Sequence, residues 1–205
     1  MENIYYPLPE INLVRRFNSL FTLINKRQSG CFIGLPESAK SGWLKFLLEE
    51  KKILNKHIPG FQNKTKVLYF EPIPVITSDP YFWLYQLSAK LEEIDPIYKN
   101  NLQDNPTLIF LSMQKYLRKL AENQEHITFI ISDNGIWGNL PSEVGIMIKA
   151  LWDVSRVPPI NTSSIILLSH FTTPNYPSIA ALHIALSENT IFFPVLSFEE
   201  THITI

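Results

Sequence analysis

Three short stretches hold residue types that could handle a charged ligand. The first is Gly34-Leu35-Pro36-Glu37-Ser38-Ala39-Lys40-Ser41, followed by Gly42. It fits the pattern G-x-x-x-x-G-K-[ST] at every fixed position but one. The chemistry is phosphate binding. Backbone N–H groups of such a loop turn inward on the anion, and the N-terminus of the following helix adds its positive end. A Lys reaches the outer phosphates and a hydroxyl ligates Mg²⁺. Lys40 and Ser41 supply the last two, while Gly34, Pro36, Glu37, Ser38, Ala39 and Gly42 supply backbone. Ala39 stands where Gly is customary, and Gly there lets the chain pass close to phosphate without a Cβ. One methyl is either absorbed by a small shift or weakens binding; the sequence leaves both open. Without context the same residues read as a surface turn. Their context is an apolar run before them and a helical pattern after them, which is what the motif demands.

The second stretch is His126-Ile127-Thr128-Phe129-Ile130-Ile131-Ser132-Asp133-Asn134. A carboxylate at the end of a neighbouring apolar strand supports Mg²⁺ in phosphoryl-transfer sites of this kind, and Asp133 is placed for it. Asp133-Asn134-Gly135 is equally good turn chemistry. Many ATPases of this layout carry Glu at the position of Asn134. An amide orients a water but does not accept its proton at neutral pH, so Asn134 and Ala39 both point to binding over fast turnover. The third stretch is Ser163–Ser169, with His170 behind it. A polar Ser169 at the same edge could sense a terminal phosphate; the alternative is a plain strand-end serine. His57, His126, His183 and His202 have no metal-ligand spacing and receive no chemistry.

These stretches need elements to hold them. Residues 10–27 place Ile11, Leu13, Val14, Phe17, Leu20, Phe21 and Ile24 at helical spacing. Gly30–Gly34 reads as a buried strand, and Lys40–Lys56 as a helix. Lys66–Glu71 is a second strand, followed by a Pro-punctuated loop. Ser78-Asp79-Pro80 and Asn105-Pro106 each read as a helix start, a polar cap followed by Pro in the first turn. The first of these helices runs to about Ile94 and the second to about Asn123. His126–Ser132 and Ser163–Ser169 are strands, with a helix over Pro141–Val154 between them. Pro177–Ser187 reads as a short helix, Thr190–Phe193 as a fifth strand, and Ser197 with Glu200 as a further helix start. Alternating strands and helices predict an α/β fold: three layers, a mostly parallel five-stranded sheet buried between helices on both faces. The loops after the strands then share one edge, where ligands bind.

Composition agrees with one globular domain over residues 1–205. Apolar residues make up 45% and charged residues 18% of the 205. The formal net charge of −1 supplies no general attraction to nucleic acid or to an acidic membrane surface. No apolar stretch approaches the length of a membrane span, and residues 1–9 are not a secretory signal. One cysteine, Cys31, excludes an internal disulfide and a cysteine metal site, and a cytoplasmic, reducing setting fits.

Taken together the chain resembles the AAA+-like STAND group of P-loop ATPases, the signalling and switch ATPases. In that group a helix with a "VGRExEL"-like motif precedes the phosphate-loop strand. Val14-Arg15-Arg16-Phe17-Asn18-Ser19-Leu20 is similar: Val14, Arg16 and Leu20 match, while the Gly and both acids are missing. Ser164–Ser169 resembles the group's sensor strand. Phe193-Pro194-Val195-Leu196-Ser197-Phe198-Glu199-Glu200 is similar to the apolar segment that leads into the group's lid. The resemblance implies ATP and Mg²⁺ as cofactors, Arg16 beside the adenine, Ser41 and Asp133 on the metal, and Asp133, Asn134 and Ser169 around the reacting phosphate. It implies a helical lid beginning where the chain stops at Ile205, so that this chain is a core without a lid. It also implies a protein partner or a homo-oligomer. No base-specificity motif separates ATP from GTP.

Three readings follow. One is an ATP-binding switch with weak or slow hydrolysis. A second is a nucleotide-independent interaction module on the same fold, favoured by Ala39, Asn134 and the missing lid. A third is a DNA-linked initiator ATPase of the AAA+ class, which the balanced charge does not favour.

Overall fold

Short runs of apolar and β-branched residues have one way to satisfy their backbone and bury both faces at once: a parallel sheet between helices. The computed structural model takes this form. It describes residues 10–34, 40–61, 63–71, 81–98, 105–132, 142–156, 162–169, 180, 182 and 186–193. The strands are β1 (Gly30–Ile33), β2 (Thr65–Phe70), β3 (His126–Ser132), β4 (Ser163–Ser169) and β5 (Thr190–Phe192). Every ladder is parallel and the order is β2-β3-β4-β1-β5. All residues of β1, β3 and β4 are buried, whereas β2 and β5 are edge strands of mixed exposure. Each of these two has one neighbour in the sheet and keeps part of its surface in water.

The helices are α1 (Glu10–Asn25), α2 (Lys40–Glu49), α3 (Lys51–His57), α4 (Phe82–Ile94), α5 (Pro106–Glu122) and α6 (Ser142–Arg156). Side-chain alternation sorts the core into two clusters. Phe32, Ile130, Ile166 and Leu168 face α1, α2 and α3, where they meet Phe17, Leu20, Leu44 and Leu54. Cys31, Ile33, Phe129, Ile131, Ile165 and Leu167 face α4, α5 and α6, where they meet Trp83, Leu87, Met113, Leu117 and Trp152. Each such side chain, fully buried, contributes about 1.5–3 kcal/mol, and the two clusters hold the sheet from both sides.

Two boundaries differ from the sequence pattern in instructive ways. The helix expected over Lys40–Lys56 is two helices, broken at Glu50, whose φ −81° and ψ 72° leave the helical region. In a continuous helix Ile53 would sit about 120° round the axis from Leu47; the break turns both toward the same cluster. The start expected at Ser78-Asp79-Pro80 lies outside the described residues, and α4 begins at Phe82. The other start is present as read: Asn105 Oδ1 accepts from Thr107 N at 3.0 Å and Leu108 N at 3.3 Å, with Pro106 in the first turn. Of the short helix expected over 177–187, residues 180, 182 and 186 are described and helical. It is followed by a single 3₁₀ turn, Ser187–Asn189. Gly30 is required where this turn crosses β1. A Cβ there would meet Asn189 O at 2.4 Å. The helix start expected at Ser197 lies outside the described residues.

Candidate functional site at the strand ends

In an all-parallel sheet the strands end together, so the residues leaving β1, β3 and β4 share one edge. β1 stops at Ile33, and α2 starts at Lys40. The strand and the helix required on either side of the phosphate motif are therefore both present. Leu35, Pro36, Glu37, Ser38 and Ala39 lie outside the described residues, as do the side chains of Lys40 and Ser41, whose backbone opens α2. Gly42 is half-buried in the first turn of α2.

The mouth of that loop is fixed on both sides. Gly34 N donates to Ser169 O of β4 at 3.1 Å, and Phe193 N donates to Ile33 O at 2.6 Å. Ser169 lies level with Ile33 in the β1–β4 register. Its side chain is fully buried, and its Oγ has no hydrogen-bond partner among the described residues. A buried hydroxyl without a partner costs about 1–3 kcal/mol. Such a group in a native fold calls for an explanation, and this one lies beside the start of the phosphate motif. Three other residues could be read as rivals for a polar role, and they are structural. Thr128 Oγ1 and His126 Nε2 lie 2.9 Å and 3.1 Å from Ser164 Oγ inside the sheet.

Asp133 and Asn134 lie outside the described residues; β3 is described to Ser132, which is buried. The sheet order corrects one point about Asp133. β3 does not neighbour β1, because β4 lies between them. Two strand spacings, about 10 Å, separate the ends of β1 and β3, and Ser169 belongs to the strand in that gap.

Arg16 comes from α1 and is buried, with its guanidinium carbon 5.7 Å from the centroid of the Phe193 ring. The same ring lies 5.3 Å from that of Phe17 and 5.5 Å from that of Phe32, the latter edge-on. Arg15, the next residue, is exposed. Phe193 thus sits at the meeting of α1, β1 and the end of β5. Its apolar type next to a strand does not signal this position; only the parallel pairing of β5 with β1 places it there.

A second charged cluster lies at the opposite end of the strands and was not legible as a pattern. Lys66 Nζ contacts Asp95 Oδ2 at 2.7 Å and also pairs with Glu125. Tyr116 Oη donates to Asp95 Oδ2 at 2.6 Å, and Ile97 N donates to Asp95 Oδ1 at 3.0 Å. Burial by itself would lower the Lys66 ammonium, but the two carboxylates outweigh it and hold it above its ordinary range. Burial would raise Asp95, and its three donors hold it below the usual carboxylate range instead. Burial first, and then the Asp95 carboxylate, push the Tyr116 phenol well up. The cluster ties β2 to the ends of α4 and α5. Elsewhere, burial pushes the Cys31 thiol up to about 12, so it is inert as a nucleophile. Among the described residues no group of His, Cys, Asp and Glu could hold a metal ion, and no helix is long and apolar enough to cross a membrane.

No protein-family model matches the chain, and no curated protein matches its sequence. Solved structures do match its fold. An ORC1 protein of Aeropyrum pernix, in complex with DNA, is 12% identical at a TM-score of 0.60; the match covers 96% of this chain and 48% of that one. Cdc6p of Pyrobaculum aerophilum is 12% identical at a TM-score of 0.58, covering 91% and 45%. An ORC2 protein of Aeropyrum pernix, in ADPNP–ADP complexes, is 13% identical at a TM-score of 0.55, covering 99% and 52%. The chain spans about half the length of the structures it matches. At such identity the likeness shows the fold alone: an α/β domain with an all-parallel five-stranded sheet flanked by helices, shared with those structures.

Proposed function

We propose that this chain is a nucleotide-binding core that holds Mg²⁺ and ATP at the strand-end edge and works as a switch with slow hydrolysis. The observation that carries the reading is the buried, unpartnered Oγ of Ser169, level with the last residue of β1. A group of this kind fits a phosphate oxygen as its partner. The motif residues Gly34, Pro36, Glu37, Ser38, Ala39 and Gly42 would line the anion with backbone. Lys40 would neutralise the outer phosphates, and Ser41 and Asp133 would hold Mg²⁺. Bound Mg²⁺ would supply charge neutralisation across the phosphates. Asn134 would orient a water without taking its proton, which keeps turnover slow. Arg16, buried beneath the exit of β5, would approach the base only by way of the Phe193 ring it covers. The signal-transduction character and a protein partner belong to the same reading: a core with slow turnover acts by biasing a conformation that a partner reads.

A DNA-linked initiator role is the second reading. It is favoured by the ORC and Cdc6 structures that share the fold, among them the Aeropyrum pernix ORC1 protein in complex with DNA. The net charge of −1 offers no general attraction to DNA, so this role would depend on local basic patches.

Titration of the full chain with a fluorescent ATP analogue and Mg²⁺ tests the first reading. Micromolar binding, lost in Lys40→Ala, is the expected result. Absence of binding by the unaltered chain at millimolar nucleotide would leave only an interaction module on this fold. Salt-dependent binding to duplex DNA in a parallel titration would favour the second role.

A further inference from the structure

α5 is the middle helix of its layer, packed between α4 and α6 and over β3. Its inner side belongs to the core, where Ile109, Met113, Tyr116, Leu117 and Leu120 are buried. Its outer side carries a second pattern. Leu108, Leu111, Lys115, Arg118 and Glu122 recur at alternating steps of three and four residues, and all five are exposed. Residues so spaced form one seam along a helix, and from Leu108 to Glu122 it runs about 21 Å. Leu108 and Leu111 keep 38% and 52% of their surface in water. A lone exposed leucine needs no account. Two on adjacent turns, with Ile146 of α6 also exposed in the same layer, begin an apolar patch.

The charges that continue the seam differ from those on the flanking helices. There the exposed lysines are paired within their own helix, Lys90 with Glu93 on α4 and Lys149 with Asp153 on α6. On α5, Lys115, Arg118 and Lys119 make no ion pair among the described residues. Lys115 stands three and four residues from the other two, a spacing at which like charges repel. Lys119 lies in the last turn, where the helix dipole favours a cation. That effect fades within one turn and does not account for Lys115. α5 therefore holds positive charge that the fold leaves unneutralised, in a chain whose net charge is −1.

We propose that the outer seam of α5 is a docking surface for an amphipathic, acidic helix of a partner protein. That helix sets apolar side chains on Leu108 and Leu111 and carboxylates on Lys115 and Arg118. A seam of this period is matched by one helix lying alongside another. Charge decides the occupant. A second copy docking α5 on α5 about a two-fold axis would set Lys115 against Lys115 at the centre and Leu108 against Glu122 at the ends, so the seam repels itself. A nucleic-acid backbone matches the cations but leaves the leucines facing phosphate. An acidic bilayer calls for a broad apolar face, and this seam is narrow and ends in the anion Glu122. The surface lies across the sheet from α2, so it stands whether or not the strand-end edge holds nucleotide.

The test is fluorescence anisotropy of the full chain with a labelled, helix-stapled peptide of about two heptads. The peptide carries Leu opposite Leu108 and Leu111 and Glu opposite Lys115 and Arg118, and is made in both chain directions to cover parallel and antiparallel docking. One direction should bind in the micromolar range. Lys115→Glu combined with Arg118→Glu should weaken it by about tenfold or more, and a peptide with Lys in place of Glu should recover binding to that variant. The recovery is a readout that a merely structural role for the two cations would not give. Leu111→Ser should weaken the acidic peptide independently of charge, and serves if the double reversal lowers the Tm. Four results overturn the proposal: no binding of either peptide at millimolar concentration; equal binding of a peptide of the same composition with the seam scrambled; binding of the acidic peptide unchanged by the double reversal; or tighter binding of a DNA duplex or of phosphatidylserine vesicles that the double reversal abolishes, which would give the surface to nucleic acid or to a membrane.

Discussion

Replacing Ser169 by alanine should make the protein more stable and worse at its task. Its Oγ is buried, without a hydrogen-bond partner among the described residues, and level with Ile33 at the end of β1. In the ligand-free protein the hydroxyl carries a desolvation cost of about 1–3 kcal/mol with no hydrogen bond to offset it. Ser169→Ala removes that cost at nearly constant volume. The lower bound, about 1 kcal/mol, raises the Tm of a chain this size by about 2–4 °C. With nucleotide the sign reverses. A hydrogen bond to a charged oxygen is worth about 1.5–3 kcal/mol, so the variant should bind Mg²⁺-ATP at least tenfold more weakly. At a ligand concentration 100 times the original Kd, stabilisation by binding drops from about 2.7 to about 1.4 kcal/mol. Thermal unfolding with and without Mg²⁺-ATP reads both effects in one experiment. Two results would refute the reasoning. A ligand-free Ser169→Ala that is less stable by a kcal/mol or more would mean that the hydroxyl has a structural partner. An unchanged nucleotide-induced shift would mean that it does not face the ligand.

The remaining predictions concern the scaffold that holds this edge. Lys66→Met strands the buried Asp95 and the nearby Glu125 without their shared cation and should cost about 3–5 kcal/mol in urea unfolding; a loss under 1 kcal/mol would show that water already screens the cluster. Asp95 is held below its ordinary value, so its contribution is present above about pH 4 and lost as pH falls through its folded-state value. Lys66 and Tyr116 are held above theirs, so their contribution is present below about pH 10 and lost as pH rises further. A midpoint-against-pH curve for Asp95→Asn should therefore lose part of the acid limb, and a limb identical to that of the unaltered chain would contradict the assignment. Gly30→Ala drives a Cβ to 2.4 Å from Asn189 O and should destabilise by about 1–3 kcal/mol, with the largest rise in hydrogen exchange over 187–192. A neutral effect would mean that the 3₁₀ turn shifts freely away from β1.

Periodicity carried most of the fold. The apolar pattern of residues 10–25, the β-branched runs at 126–132 and 163–169, and Asn105-Pro106 depend on a few neighbours each, and local physics decides them. The candidate phosphate motif can be named from sequence for the same reason: its chemistry needs contiguous backbone, so its residues are contiguous. What the residue string could not supply were facts about which strand lies beside which. It suggested that β3 neighbours β1, but non-local ladders place β4 between them. That order brings Ser169 beside the loop and turns an unremarkable strand-end serine into the one described orphan hydroxyl at the site. Arg16 could be read either as an exposed charge or as a base contact. Only the parallel pairing of β5 with β1, setting Phe193 against α1, decides that it lies buried on an aromatic ring. The same holds for Lys66, Asp95, Tyr116 and Glu125, which are far apart in sequence and meet because the sheet and two helices end at one place. Local sequence sets which elements form, since each turn or strand is stabilised by residues within reach along the chain. Partners far apart along the chain are chosen by burial of whole faces, and that is a property of the assembled layers.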